Sequence, residues 1–216
     1  MAGLPDPAAF AFARTQAPAP IACYHRLMGE HRSAGFVLTG GQSRRMGRDK
    51  ALLPVGDTVL VERVAAQVCT AAGSVTLIGA PERYQSLGLP AVADLMENCG
   101  PLGGVYTALT ISGADWNLIA ACDMPGITAH LLAGLLRAAR DRDAACLAAA
   151  TGAGLHPLCA VYHRRALAAV ESAIARKSFK MHDLLSNLEA VPWPVRDAGL
   201  LSNVNTPADW QAVGPR

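Results

Sequence analysis

Short continuous apolar runs alternate along this chain with stretches whose apolar residues fall three and four apart. Gly35 to Leu38 is the first run, and its unbroken apolar character predicts a buried strand. A Gly56-Asp57 turn then leads into Leu60, Val64, Val68 and Cys69, one face of a helix that Asp57 or Thr58 can cap and Gly73 ends. Ser74 to Ile78 and Ala91 to Ala93 read as further strands, the second running into Asp94. Gly100-Pro101-Leu102-Gly103-Gly104 opens a predicted helix that reaches Thr110. Trp116 to Cys122 is an apolar run broken only by Asn117, bounded by Asp115 and Asp123-Met124-Pro125, which suits a central parallel strand covered on both faces. Thr128 caps a helix that buries Leu131, Leu132, Leu135 and Leu136. Ala144 to Ala150 is so rich in Ala that strand and helix both stay open. Beyond His156-Pro157, a run from Leu158 to Tyr162 precedes helices over about 164–176 and 181–187. Thr206 caps a last helix with Pro207 at its first position. Strands alternating with helices predict a single α/β domain over 34–216, a mostly parallel twisted sheet wound with right-handed crossovers and covered by helices on both faces.

Composition narrows the function more than the fold. About half of the 216 residues are apolar, enough for one sizeable core, and a net charge of +2 is too small to point to nucleic acid or an anionic membrane as partner. No apolar run approaches the ~20 residues of a membrane helix. Six cysteines show no C-x-x-C pair and no regular spacing, which predicts thiols buried in a reducing, cytoplasmic setting rather than a zinc or disulfide framework. Residues 1–33, rich in Ala and Pro, have no charged start followed by an apolar core and are expected to be a flexible extension.

Candidate chemistry concentrates after the first strand. Thr39-Gly40-Gly41-Gln42-Ser43-Arg44-Arg45-Met46-Gly47-Arg48-Asp49-Lys50 combines glycines, which let backbone N–H groups close on an anion, with four basic side chains. A phosphate site follows, against the plainer alternative of a glycine turn and a solvated basic surface. Ligands of open α/β sheets lie at the carboxyl ends of the strands, where Asp94 and Asp123 also fall. A basic glycine loop beside isolated acids suits a nucleoside triphosphate with Mg²⁺. Neither common glycine pattern fits: Gly47 is followed by Arg48 rather than Lys, which breaks G-x-x-x-x-G-K-[ST], and G-x-G-x-x-G is absent.

The pattern from Leu38 through Gly40-Gly41, Arg45-Met46-Gly47 and Asp49-Lys50 resembles the signature of nucleotidyltransferases that release pyrophosphate, and most closely the MobA family of molybdenum cofactor guanylyltransferases. Four later segments, in order, are similar to that family's motifs: Gly100 to Gly104, Cys122-Asp123-Met124-Pro125, His156-Pro157, and Asn203-Val204-Asn205-Thr206-Pro207. The resemblance spans roughly 33–213. It implies a Rossmann-like fold of the nucleotide-diphospho-sugar-transferase type, GTP and Mo-molybdopterin as substrates, and Mg²⁺ as cofactor. Proteins of molybdenum insertion and molybdoenzyme maturation are candidate partners. The implied reaction is transfer of GMP to the terminal phosphate of molybdopterin. Roles carry over by position. Leu38, Thr39 and Gly40 line the GTP site through their backbones, Gly41 and Arg45 face phosphates, and Lys50 stabilises charge in the transition state. Asp94, Gly100 and Gly104 contact the nucleotide, Asp123 binds both metal and GTP, and His156, Asn203 and Asn205 lie on the acceptor side.

Two departures from the family pattern stand out. Thr39 replaces a usual Ala, with a hydroxyl that can reach a phosphate or sugar, and no Asn occurs near Ile78-Gly79, where the family places a nucleotide contact. Plainer readings remain for Asp123 as a turn cap, His156 as a structural loop residue, and Asn203 and Asn205 as a turn and cap. Rival functions are CMP transfer from CTP to the same pterin, sugar-phosphate nucleotidyl transfer, and non-catalytic nucleotide binding.

Overall fold

The computed structural model describes residues 33–40, 49–206 and 208–210. Gly41, Arg45, Pro207 and the 1–32 part of the expected extension therefore lie outside the described residues. Nine strands and six α-helices are described: β1 Ser33–Leu38, β2 Pro54–Val55, β3 Thr58–Val59, α1 Leu60–Ala72, β4 Thr76–Ile78, α2 Pro81–Tyr84, β5 Ala91–Val92, α3 Pro101–Ile111, β6 Trp116–Ala121, α4 Ala129–Asp141, β7 Cys146–Thr151, β8 Gly154–His163, α5 Leu167–Ala175, α6 Met181–Asn187 and β9 Val191–Pro194.

Seven strands form one sheet in the order β5-β4-β1-β6-β8-β7-β9. Every neighbouring pair is parallel except the two pairs made by β8. Apolar side chains from the two faces of β1 and β6 enter different cores. Val37, Leu118 and Ala120 pack with α1 and α4, while Phe36, Leu38 and Ile119 pack with α3, α5 and α6. The expected α/β sheet with helices on both faces is therefore observed. No helix among the described residues is long and apolar enough to cross a membrane.

Several elements differ from the sequence reading. The Ala-rich run is strand β7, and β8 begins at Gly154, so His156 lies within a strand rather than ahead of one. Thr151 pairs with Gly154 across a two-residue turn, and a turn that short forces β8 antiparallel. Neither Asp57 nor Thr58 caps α1. Thr58 pairs with Val55 in a small hairpin, and the Glu62 carboxylate accepts the Val59 N–H instead. The expected helix over 164–176 starts as a 3-10 turn, Arg164–Ala166, before α5. Cys99, Cys122, Cys146 and Cys159 are buried thiols, as the cysteine spacing predicted.

Candidate active site

The carboxyl edge of the parallel strands carries the chemistry. β1 ends at Leu38, and Cys122 at the end of β6 donates its N–H to the Leu38 carbonyl at 3.1 Å, which brings Asp123 beside the start of the glycine loop. Lys50 opens a 3-10 turn, Lys50–Leu52, whose first residues are held by Asp49: its Oδ1 accepts the Ala51 N–H at 3.1 Å. From there the Lys50 Nζ donates to Asp123 Oδ2 at 2.5 Å and to Asn205 Oδ1 at 3.1 Å. Lys50 and Asp123 expose only 21% and 12% of their side chains, so solvent screens this ion pair weakly.

Asp123 keeps one oxygen unused. Its Oδ1 is buried and has no hydrogen-bond partner, an arrangement that costs free energy unless a cation or donor meets it. The chain closes on it from behind, because Val204 N–H donates to the Asp123 carbonyl at 2.8 Å. Asn205 is fixed in turn by Asp209, whose Oδ2 accepts the N–H groups of Asn205 and Thr206 at 2.9 and 2.8 Å. These two donors hold the exposed Asp209 carboxyl below its ordinary range. The expected Thr206 cap is present, its hydroxyl accepting the Asp209 N–H.

Two cavities meet at this edge. One, of about 310 Å³, is lined by Lys50, Asp123, His156, Leu158 and Asn203. A second, of about 470 Å³, is lined by Ile78, Asp94, Met96, Asn98, Gly100 and Gly104. Leu38, Gly40 and Pro101 belong to both and form the spine between them. Pro101 also starts α3, so the positive end of that helix dipole lies at the junction and favours an anion there.

Asp94 faces the larger cavity under tight control. Its Oδ1 accepts the Thr107 hydroxyl at 2.8 Å and the Met96 N–H at 3.1 Å, while Thr107 also accepts the Leu95 N–H. A Cβ on Gly103 would stand 2.6 Å from the Met96 carbonyl and 3.0 Å from Asp94 Oδ2, and one on Gly104 would press on Leu38 at 3.0 Å. These glycines let α3 pack close to β1 and the Asp94 loop. Gly100 takes φ +57°, a conformation that disfavours any side chain.

His156 lines the smaller cavity, and its Nε2 lies 2.9 Å from the Thr151 hydroxyl. Burial lowers its pKa, which favours the neutral ring. It reaches the cleft because the β7–β8 register slips between Ala148 and Ala149, which leaves residues 157–159 unmatched. Cys122, beside Asp123, is inert: burial first, and the Asp123 charge second, push its thiol up to about 12.

Thus the carboxyl edge brings together Leu38, Gly40, Lys50, Asp94, Gly100, Gly104, Asp123, His156, Asn203 and Asn205. Thr39 does not join them. Its buried hydroxyl donates to the Ile78 carbonyl at 2.9 Å, so it is not turned to a phosphate or sugar, and the residue lines neither cavity. That bond and the Thr39 N–H both use the carbonyl at the site where the family's Asn contact is missing. Asp49, Tyr84, Thr107 and Asp209 were assigned no role from the sequence. Only Asp49, inside the Asp49-Lys50 pair, carried a signal.

A mostly parallel α/β sheet with a lysine, a half-satisfied aspartate and two adjoining cavities at its carboxyl edge suits nucleotidyl transfer, and the family match makes the chain a nucleotidyltransferase. Residues 35–191 match the MobA-like NTP transferase domain, and the chain belongs to that family. Two similar proteins are named "Probable molybdenum cofactor guanylyltransferase". The one from Mycobacterium marinum is 36% identical over 185 residues, covering 83% of this chain and 92% of the relative. The one from Carboxydothermus hydrogenoformans is 31% identical over 184 residues, covering 82% and 92%. Among solved structures, molybdopterin-guanine dinucleotide biosynthesis protein A from Archaeoglobus fulgidus shares the fold, with TM-score 0.72, 24% identity, and coverage of 83% of this chain and 96% of that one.

Proposed function

We propose that this enzyme transfers GMP from GTP to the terminal phosphate of Mo-molybdopterin, releasing pyrophosphate and molybdopterin guanine dinucleotide. The observation that carries the reading is the Lys50–Asp123–Asn205 cluster, which joins the end of the glycine loop, the central strand and the C-terminal segment, with Lys50 and Asp123 lining the smaller of two adjoining cavities. The names of the similar proteins supply the substrates.

On this reading the larger cavity takes guanosine, with the free edge of Asp94 accepting from the base or ribose. The triphosphate crosses the Leu38–Gly40–Pro101 spine, and the smaller cavity takes the pterin phosphate beside His156 and Asn203. An oxygen of that phosphate attacks the α-phosphorus of GTP in line. One P–O bond forms as the bond to the β-phosphate breaks, and pyrophosphate leaves. The attacking phosphate is already ionised, so no general base is required. Lys50 stabilises the negative charge that builds on the transferring group.

A divalent cation, Mg²⁺, fits the orphaned Asp123 Oδ1, a hard carboxylate oxygen at the cleft. No cluster of three or more His, Cys, Asp or Glu among the described residues could hold a metal by itself. Phosphate oxygens and water would have to supply its other ligands. When bound, the ion neutralises phosphate charge and orients the triphosphate.

The test is to incubate the purified protein with Mg²⁺, Mo-loaded molybdopterin and each of the four nucleoside triphosphates, measuring pyrophosphate and dinucleotide. GTP-selective product formation is expected. Preference for CTP, or tight GTP binding without product, overturns the proposal.

A further inference from the structure

Asp49 caps the turn that carries Lys50, and one side chain from elsewhere reaches it. Tyr84, the last residue of α2, is 2% exposed and donates its hydroxyl to Asp49 Oδ2 at 3.2 Å. Thr39 lies beside the same hydroxyl but spends its own proton on the Ile78 carbonyl. Asp49 uses its other oxygen on the Ala51 N–H, and so sets the turn that carries Lys50. Arg83 also approaches Asp49 Oδ2, but at 3.5 Å and 60% exposed it adds little.

A phenylalanine would fill this core position as well, since a buried hydroxyl gains nothing unless it is paired. Burial, the largest cause, pushes the Tyr84 phenol up to about 12, so it remains a donor across the physiological range. We infer that Tyr84 is a positioning residue for nucleotidyl transfer: its hydroxyl holds the Asp49 carboxylate that caps the Lys50 turn and thereby fixes where Lys50 stands against Asp123. The catalytic part of this inference rests on the proposed function; the tie between Tyr84 and Asp49 does not.

Tyr84→Phe in the full chain tests both parts. Without the phenol, amide hydrogen exchange at Ala51, Leu52 and Leu53, the donors around the Lys50 turn, is expected to speed up at least tenfold, with the β6 amides unchanged. Under saturating GTP and acceptor, kcat is expected to fall about ten- to a hundredfold, the scale of a small misplacement of a reacting group, while KM for GTP stays within about threefold. Asp49→Ala removes the same tie from its other side and replaces Tyr84→Phe if that variant does not fold. The double variant is expected to be no slower than Asp49→Ala alone. Unchanged exchange at the three amides, kcat within twofold of wild type, or multiplicative losses in the double variant each overturn the inference. If the wild-type chain transfers no nucleotide at all, the proposed function falls, and the exchange rates alone decide the tie.

Discussion

Replacing Asp123 by asparagine separates what the aspartate does for folding from what it does for chemistry. At 2.5 Å from Lys50 Nζ, its charge contributes roughly 6–7 kcal/mol of gross attraction at an effective dielectric of about 20. Most of that is offset, because removing each ion from water costs several kcal/mol. The orphaned Oδ1 subtracts about another 1–3 kcal/mol, the cost of a buried acceptor without a donor. Asparagine has the same shape, keeps an oxygen for Lys50, and turns its NH₂ toward the orphan position. Folding stability is therefore expected to change by no more than about 1–2 kcal/mol, a Tm shift within roughly 8 °C for a domain of this size. Transfer should suffer far more. An amide hydrogen replaces the lone pair that a cation needs, and losing one preorganised electrostatic contact costs about 3–4 kcal/mol of barrier, a hundred- to thousandfold in kcat. Pyrophosphate release under saturating substrates measures the rate, and thermal unfolding measures the fold. A third readout compares the Tm gain from Mg²⁺ and GTP. At 100 times Kd the wild type gains about 2.7 kcal/mol, and Asp123→Asn should gain less. A variant with kcat within threefold of wild type and the full nucleotide-dependent Tm gain refutes the assignment.

Lys50→Ala should retain its fold, the side chain being partly exposed, yet lose at least a hundredfold in kcat, checked by circular dichroism and the same pyrophosphate assay. Asp94→Ala should raise KM for GTP at least tenfold with a smaller change in kcat. Thr107→Val, which removes one of the two donors to Asp94 Oδ1, should reproduce part of that rise in steady-state kinetics. Gly79→Ala should cost about 1–3 kcal/mol in chemical unfolding, because its new Cβ would stand 2.1 Å from Thr39 Oγ1, and Thr39→Ala added to it should restore most of the loss. Cys122, with its thiol held protonated, should escape iodoacetamide at pH 8 in the native enzyme and react once unfolded, as peptide mass spectrometry can show.

Much of this was legible where one physical signal dominated. Trp116 to Cys122 could only be a strand buried on both faces, and Asp123 at its end had to fall at the carboxyl edge. Ala144 to Ala150 was ambiguous because alanine has the highest helix propensity, and only the neighbouring strands make it β7. β9 was invisible for the opposite reason: Pro192 and Pro194 argue against a strand, yet an edge strand tolerates residues without an N–H. In the site, Lys50, Asp123 and Asn205 announced themselves through charge, glycine or proline neighbours. Tyr84 and Thr107 look like ordinary residues of their helices, since what matters is the one oxygen each aims at a distant carboxylate. Thr39 misled because a hydroxyl beside a glycine pair suggests a phosphate, while the nearest open acceptor was the carbonyl of the adjoining strand.

The spine of Leu38, Gly40 and Pro101 has a consequence for what happens after bond formation. On the proposed reading it joins two compartments that receive two molecules, but the product is one molecule lying across both. That dinucleotide retains the contacts of the guanosine and of the pterin together, and loses only pyrophosphate. Held at both ends, it is expected to bind more tightly than either half alone. Such an enzyme behaves as a holder of its own product, inhibited by it against either substrate and emptied most readily by whatever next grips the exposed half.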